Sequence, residues 1–246
     1  MSASIAVLRA EARLLTRESG SIFWIVAFPT LLVTGLGLVP SFRAPDPDLG
    51  GLRLVDLYVP VAALLAVMMA GSQAMPPVLA SYREHGILRR MSTTPVRPLT
   101  LLAAQILLHS AAALGSSILV IAVGRLFFGV SLPGHLPGYA VALVLATLAA
   151  MALGATVAAL APNTKVCTTV DTIIFFPMMI SAGVWGPVQV LPELARRVVE
   201  FTPFGAAAQA LDQAMRGGWP DWSLLGVTVA WAAVLIGAAA RWFRWQ

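Results

Sequence analysis

Four polar side chains interrupt the long apolar runs of this sequence and are the first candidates for chemistry: Gln73, Gln105, His109 and Asp171. Polar groups at membrane depth are costly to bury and commonly mark a substrate or ion pathway. Each also has a plainer interpretation. The two glutamines could form hydrogen bonds between helices, His109 could be a packing residue, and Asp171 could be hydrated or paired with Lys165. We find no chain of Asp, Glu and His residues of the kind a proton pump needs, which argues against an ion-coupled carrier.

A second set of candidates consists of methionine and aromatic residues in the apolar runs. Such side chains adapt to apolar ligands of different shapes, so they could line a path for a substrate. Ordinary helix packing or lipid contact is the alternative for any one of them. Together with the four polar residues, the candidate substrate path therefore comprises Met68, Met69, Phe175, Phe176, Met179 and Trp185.

Sequence motifs of known catalytic centres are missing. The chain has no G-x-x-x-x-G-K-[ST] phosphate loop, no H-E-x-x-H metal pair and no G-x-S-x-G nucleophile turn. Its three histidines lie in separate regions, so we predict no metal site and no cofactor in this chain. The sequence predicts that the chain is not an enzyme by itself, and that any pumping needs a partner or an ion gradient.

The composition explains where these residues must lie. Hydrophobic residues make up 59% of the 246 residues, charged residues only 11%, and the net charge is +5. Soluble domains carry about 25% charged residues, so a soluble fold could not hide this much apolar surface. The 16 basic residues are dispersed rather than clustered, which fits lipid head groups better than nucleic acid. The single cysteine, Cys167, excludes an intramolecular disulfide.

Six apolar runs are long enough to cross a bilayer, which takes about 20 residues each. We therefore predict an all-α integral membrane protein, a single transmembrane domain over residues 1–246. The predicted transmembrane helices are 22–39, 57–79, 99–123, 139–160, 168–186 and 222–240.

Two further segments are amphipathic without being able to span. Residues 1–20 carry Arg9, Arg13 and Arg17 opposite an apolar face, which predicts an interfacial helix on the inner leaflet; a solvated helical extension is the alternative. Residues 188–216, between helices 5 and 6, alternate apolar and charged stripes and predict an outer re-entrant or amphipathic hairpin.

The distribution of Lys and Arg predicts the orientation. These residues are more numerous at the two termini and in the polar segment 81–98 than in the connections on the opposite side. Because cytoplasmic loops carry the excess of basic residues, both termini and residues 81–98 are predicted to be cytoplasmic.

The polar segment carries a resemblance to a known family. The stretch from Tyr82 to Val96 resembles the cytoplasmic segment between the second and third helices of ABC-2-type permeases, where an acidic residue, a glycine, a Leu/Arg helix and a Thr-Pro pair recur in this order. Residues 175–187, followed by Leu191-Pro192 and 201–204, are similar to the fifth helix and outer hairpin of that family. The family's coupling segment corresponds here to Tyr82, Arg83, Glu84, His85, Gly86, Leu88, Arg89, Arg90, Thr94 and Pro95.

The resemblance implies a half-transporter of an ABC exporter. Two copies of this chain would form the path, and two separate ATPase subunits would bind ATP and Mg and dock on residues 81–98. The small members of the family resemble drug and antibiotic efflux permeases of the bacterial cytoplasmic membrane, so we expect a hydrophobic or amphipathic small molecule as cargo. A lipid, glycolipid or polysaccharide exporter of the same architecture is the alternative; short outer loops count against polysaccharide.

Overall fold

The computed structural model describes residues 3–87, 98–186, 188 and 191–242, and these residues are helical with short connections. An N-terminal helix, α1 (Ala3–Arg17), leads into α2 (Ser19–Leu38). After two short 3-10 turns at Pro40–Arg43 and Pro47–Leu49 come α3 (Leu54–Glu84) and α4 (Pro98–Phe128). The remaining helices are α5 (Leu136–Leu160), α6 (Thr164–Ser181), α7 (Glu193–Glu200), α8 (Pro203–Met215) and α9 (Trp222–Trp242).

Five helices are long and apolar enough to cross a membrane, which confirms five of the six predicted spans. They are α2, α3, α4 (from Leu99), α5 and α9. The predicted span 168–186 corresponds to α6, which is an 18-residue helix but does not reach the same apolar content. Its first half carries Lys165, four threonines and Asp171, and these residues lower its mean hydropathy. A sixth span therefore stays a prediction.

Helices α3 and α5 form the centre of the bundle and are mostly buried, whereas only 28% of the apolar stretch of α2, α4 and α9 is buried. The two central helices approach each other closely at Gly71 and Gly154. A Cβ atom on either glycine would collide with backbone of the other helix, so only glycine permits this contact. The main core lies around this crossing and includes Leu64, Met75 and Phe204.

Helix α2 contains an irregular turn that a proline explains. A serine of α4 satisfies the backbone carbonyl that this proline leaves free. Pro29 has no N–H to donate to the carbonyl of Ile25, and α2 widens into a π turn at Phe23–Ala27. The hydroxyl of Ser116 on α4 donates to that carbonyl at 2.7 Å. A second π turn, Met69–Ala74 in α3, precedes Pro76 and Pro77 and packs against the first.

The segment predicted as an outer hairpin, 188–216, contains α7 and α8 joined by a tight turn at Phe201 and Thr202. The indole N–H of Trp231 on α9 donates to the carbonyl of Phe201 at 2.8 Å and holds this turn. Arg216 and Asp212, one helical turn apart, form an ion pair at 3.0 Å. That this hairpin is re-entrant or lies outside stays a prediction.

Candidate functional site

The C-terminal end of α3 presents three consecutive polar side chains that each contact a different neighbour. We call Tyr82, Arg83 and Glu84 the α3 junction. The sequence places them after the predicted span 57–79, but α3 runs on to Glu84, so they occupy its last helical turn. Residues on consecutive positions of a helix point in different directions, about 100° apart, which is why the three reach separate elements.

Tyr82 ties α3 to the N-terminal helix. Its hydroxyl donates to Glu11 Oε2 of α1 at 2.7 Å, and Gln105 Nε2 of α4 donates to the same oxygen at 2.6 Å. Glu11 is buried, and burial raises the pKa of its carboxyl above the ordinary value, although the two hydrogen bonds oppose that rise. The three residues hold α1, α3 and α4 together.

Arg83 contacts the end of α5. Its guanidinium donates to the carbonyl oxygens of Ala158 and Ala161 at 2.6 and 2.7 Å. The last carbonyls of a helix have no partner within the helix and carry the negative end of its dipole. Arg83 therefore supplies both hydrogen bonds and a complementary charge at the C-terminus of α5.

Glu84 contacts the start of α6. Its Oε2 accepts from the backbone N–H of Thr164 at 3.1 Å and from the Thr164 hydroxyl at 2.7 Å. A carboxylate at a helix N-terminus satisfies free N–H groups and complements the positive end of the dipole. Arg83 and Glu84 together hold both sides of the α5–α6 turn, because only residues 161–163 separate the two helices.

The junction connects the C-terminal end of α3 to four helices: to α1 and, through Glu11, α4 by Tyr82, to α5 by Arg83 and to α6 by Glu84. That these residues couple the chain to an ATPase stays a prediction. Helix α3 ends at Glu84, and two residues later Gly86 takes the left-handed conformation, with a φ of +66°, that commonly follows a helix end. His85 bonds back to the Ser81 carbonyl at 2.9 Å and reaches no other helix by a hydrogen bond among the described residues.

The remaining members of the predicted coupling segment are Leu88, Arg89, Arg90, Thr94 and Pro95, and they lie outside the described residues. The interfacial arginines are described: Arg9, Arg13 and Arg17 are all exposed on α1, opposite the buried Glu11. Their contact with a membrane stays a prediction.

The four polar candidates of the substrate path do not gather at one place. Gln105 belongs to the Glu11 cluster, and His109, one turn further along α4, is buried with Nδ1 on the Gln105 carbonyl at 2.9 Å. Gln73 lies in the π turn of α3. Asp171 is buried on α6, where Oδ2 accepts from the Cys167 thiol at 3.7 Å and Oδ1 has no hydrogen-bond partner within the described residues.

The methionine and aromatic candidates divide between the core and the surface. Met68, Met69, Phe175 and Met179 are buried in the main core, whereas Phe176 and Trp185 are exposed. None of the cavities found in the described part of the chain brings these six residues together. Whether any of them lines a path stays a prediction.

Sequence reasoning missed a wide exposed face on α6. Its first half is polar and its second half is apolar; the face comprises Thr168, Thr169, Thr172, Ile173, Phe176 and Ile180. Each of the three hydroxyls bonds to the carbonyl four residues earlier, at 2.8 to 3.0 Å. The repeat of threonines every three or four residues in a segment predicted to span was the available signal.

Comparison with known proteins identifies the class. The profile described as ABC-2 family transporter protein matches residues 48–241, and the chain belongs to this family. No individual curated protein matches the sequence. Membership indicates a multi-pass membrane subunit of an ABC transporter, a kind of subunit that normally has no catalytic activity itself.

Proposed function

We propose that this chain is the permease subunit of an ATP-driven exporter that moves a hydrophobic or amphipathic small molecule out of the cytoplasm or inner leaflet. The observation that carries the proposal is the exposed face of α6. It combines hydroxyl-bearing and apolar side chains along one helix. None of the exposed residues from Thr168 to Ile180 is charged, since Asp171 is buried.

This face suits a pathway better than it suits lipid. A helix that faces only hydrocarbon is expected to be apolar along its exposed side, as the surfaces of α4 and α9 are. The threonines make the exposed side of α6 polar, but only weakly, because their hydroxyls already donate to backbone carbonyls of the same helix. Two copies related by a twofold axis would bring their α6 faces together and enclose a path whose exposed side chains from Thr168 to Ile180 carry no charge, with the exposed Lys165 at one end.

The chemistry of the face also ranks the alternatives. Its apolar half, Ile173, Phe176 and Ile180, could accept an acyl chain, so a lipid or glycolipid exporter is the second candidate. A polysaccharide exporter would need more hydrogen-bonding groups than three satisfied hydroxyls offer. An ion-coupled carrier would need a titratable relay, and Asp171 is buried away from this face.

Energy would come from a separate ATPase subunit that holds ATP and Mg. We place its docking surface at the α3 junction and the adjoining segment 81–98, on the cytoplasmic side. A short helix between two spans can pass a rigid-body displacement from the ATPase to the helices, and the junction distributes that displacement to α5 and α6.

Purification tests the complex. The tagged chain, extracted in mild detergent, is expected to bring down a second chain with ATPase activity, and vesicles containing both should export an amphipathic dye when ATP is supplied on the ATPase side. A single, dye-transporting species without an ATPase would contradict the proposal. For orientation, a Ser92→Cys variant should react with an impermeant maleimide only from the cytoplasmic side.

Cross-linking tests the path. Cys167 is buried, so a Cys167→Ser background keeps a donor to Asp171 and removes the native thiol. Ile173→Cys on α6 and Ile118→Cys on α4 are matched, because the native side chains are 66% and 67% exposed. We expect a cross-linked dimer and blocked transport only for Ile173→Cys. Equal cross-linking at both positions, or none at Ile173, would contradict a path between two α6 faces.

A further inference from the structure

An apolar groove of about 440 Å³ lies between α4, α5 and α9, and its described lining includes no residue of the α6 face or of the α3 junction. Among the described residues, all of the side chains that line it are apolar, including Leu102, Ile106, Met151, Ala155 and Ala239. Ligand pockets in proteins usually have volumes of about 300–1,000 Å³. The groove is therefore large enough for part of a ligand, and only an apolar one would gain from entering it.

The groove lies where α4 and α5, which both pack on α3, have different second partners. Helix α5 packs along α9, where Thr156 Oγ1 donates to the Leu235 carbonyl at 2.9 Å. Helix α4 packs on α1 and α2. Small side chains on α5 and α9, Ala155 and Ala239 among them, leave the space between these two packing units unfilled.

The position of the groove indicates what surrounds its mouth. Its lining comes from the first part of α4 and the last parts of α5 and α9, which is the end of the bundle where α3 terminates. The lip residues Leu99, Leu148 and Ile236 are exposed. Because α4, α5 and α9 are long and apolar enough to span, this lip would face the hydrocarbon of one leaflet and admit a chain from the side.

Basic side chains lie at the same end. Arg241, exposed in the last turn of α9, directly follows a lining residue, Ala240. Arg13 is also exposed at this end, on the side of α1 opposite Glu11. The acidic residue of α1 on the bundle side, Glu11, is buried in hydrogen bonds to Tyr82 and Gln105. An anionic head group at this level would therefore meet positive charge.

We propose that this groove binds one acyl chain of an anionic phospholipid, with its head group beside Arg241. The lipid is a resident of the surrounding leaflet and not the cargo, since the groove is separate from the α6 face. Bound there, it fills the gap between the unit containing α4 and the unit containing α5 and α9. The inference does not depend on the cargo or on the ATPase.

Native mass spectrometry of the purified full chain tests the proposal, with phosphatidylglycerol and phosphatidylcholine of identical acyl chains as the two probes. Wild type is expected to retain phosphatidylglycerol in preference. Ala239→Phe fills the groove and should lower the affinity about tenfold, the loss for displacing about two methylene groups. Ala233→Phe, exposed on the same helix outside the groove lining, is the control and should bind like wild type.

Arg241→Gln tests the head group separately and, as an exposed substitution, leaves the packing intact. It should reduce the preference for phosphatidylglycerol over phosphatidylcholine about fivefold. Ala239→Leu is the milder filling variant should Ala239→Phe not fold. Equal binding of the two lipids by wild type, or equal retention by Ala239→Phe, Ala239→Leu and Ala233→Phe, would overturn the proposal.

Discussion

The two ends of α3 use the same side-chain chemistry in different ways. At the N-terminal end, Arg53 donates to the carbonyls of Phe128 and Gly129 at 3.1 and 3.3 Å, at the end of α4. At the C-terminal end, Arg83 donates to the last carbonyls of α5. Both guanidinium groups satisfy free carbonyls at the C-terminus of a neighbouring helix and complement its dipole.

The surroundings of the two arginines differ. Arg53 is held by Asp56 within its own helix, at 2.6 and 2.8 Å, and this hydrogen-bonded pair raises the pKa of the guanidinium. Beside Arg83, in contrast, Tyr82 reaches α1 and, through Glu11, α4, and Glu84 reaches α6. The N-terminal end is therefore a local anchor to one helix, whereas the C-terminal end is a joint to four.

The largest effect on stability is expected at the joint. Arg83→Ala removes two charge-assisted hydrogen bonds and exposes the end of α5, so it should lower the free energy of unfolding by about 3 kcal/mol. Thermal unfolding in detergent measures this. Arg83→Lys, which keeps the charge but cannot bridge both carbonyls, should lose about half as much. A wild-type melting temperature for Arg83→Ala would contradict the claim that this end of α3 is a stabilising joint.

A smaller loss is expected at the anchor. Arg53→Ala removes the side chain that caps the C-terminus of α4. The Arg53 side chain is 27% exposed, however, so water can replace part of the contact. We expect a loss of about 1 kcal/mol in the same unfolding assay. Asp56 still accepts from the backbone N–H of residue 53 at 3.3 Å and lies in the first turn of α3, so the double variant Arg53→Ala, Asp56→Ala should be less stable than Arg53→Ala alone. A loss equal to that of Arg83→Ala would remove the distinction between the two ends.

The smallest effect on stability is expected at Glu11. A change there tests the contact of the α3 junction with α1 separately from its contacts with α5 and α6. Burial raises the pKa of its carboxyl in the folded state, so the stability it contributes is fully present below the ordinary pKa of a glutamate. That contribution is lost as the pH rises through the raised pKa. Proteolysis within α1 should therefore be slower at acidic than at neutral pH, and Glu11→Gln should flatten this dependence. An unchanged pH profile in Glu11→Gln would exclude Glu11 as its source.

The sequence predicted the parts of this fold that depend on apolar runs. Five spans followed from length and composition, because only helices satisfy the backbone in a bilayer. The motif from Tyr82 to Glu84 was singled out, but its contacts were not predictable. Arg83 and Glu84 bond to groups 75 to 80 residues away, and the partners of Arg83 are backbone carbonyls of alanines, which carry no side-chain signature.

For helix α6, the sequence predicted a span but not which of its residues are exposed. Its apolar second half predicted a span, while its threonines attracted no interpretation because hydroxyls are common in helices that pack together. Only the structure shows that these hydroxyls lie on an exposed face and that Asp171 does not. Which side of a helix is left uncovered depends on the packing of all the others, and no local pattern contains that information.

The most direct measurement asks whether ATP moves α6 through Glu84. In the complex with its ATPase, the Cys167→Ser, Ile173→Cys chain is cross-linked with and without ATP, and the yield of dimer is compared. We predict that ATP changes this yield, that Glu84→Ala abolishes the change, and that Glu193→Ala, an exposed glutamate paired with Arg197 on α7, leaves it intact. The same ATP-dependent change in Glu84→Ala as in the Glu193→Ala control would contradict the account.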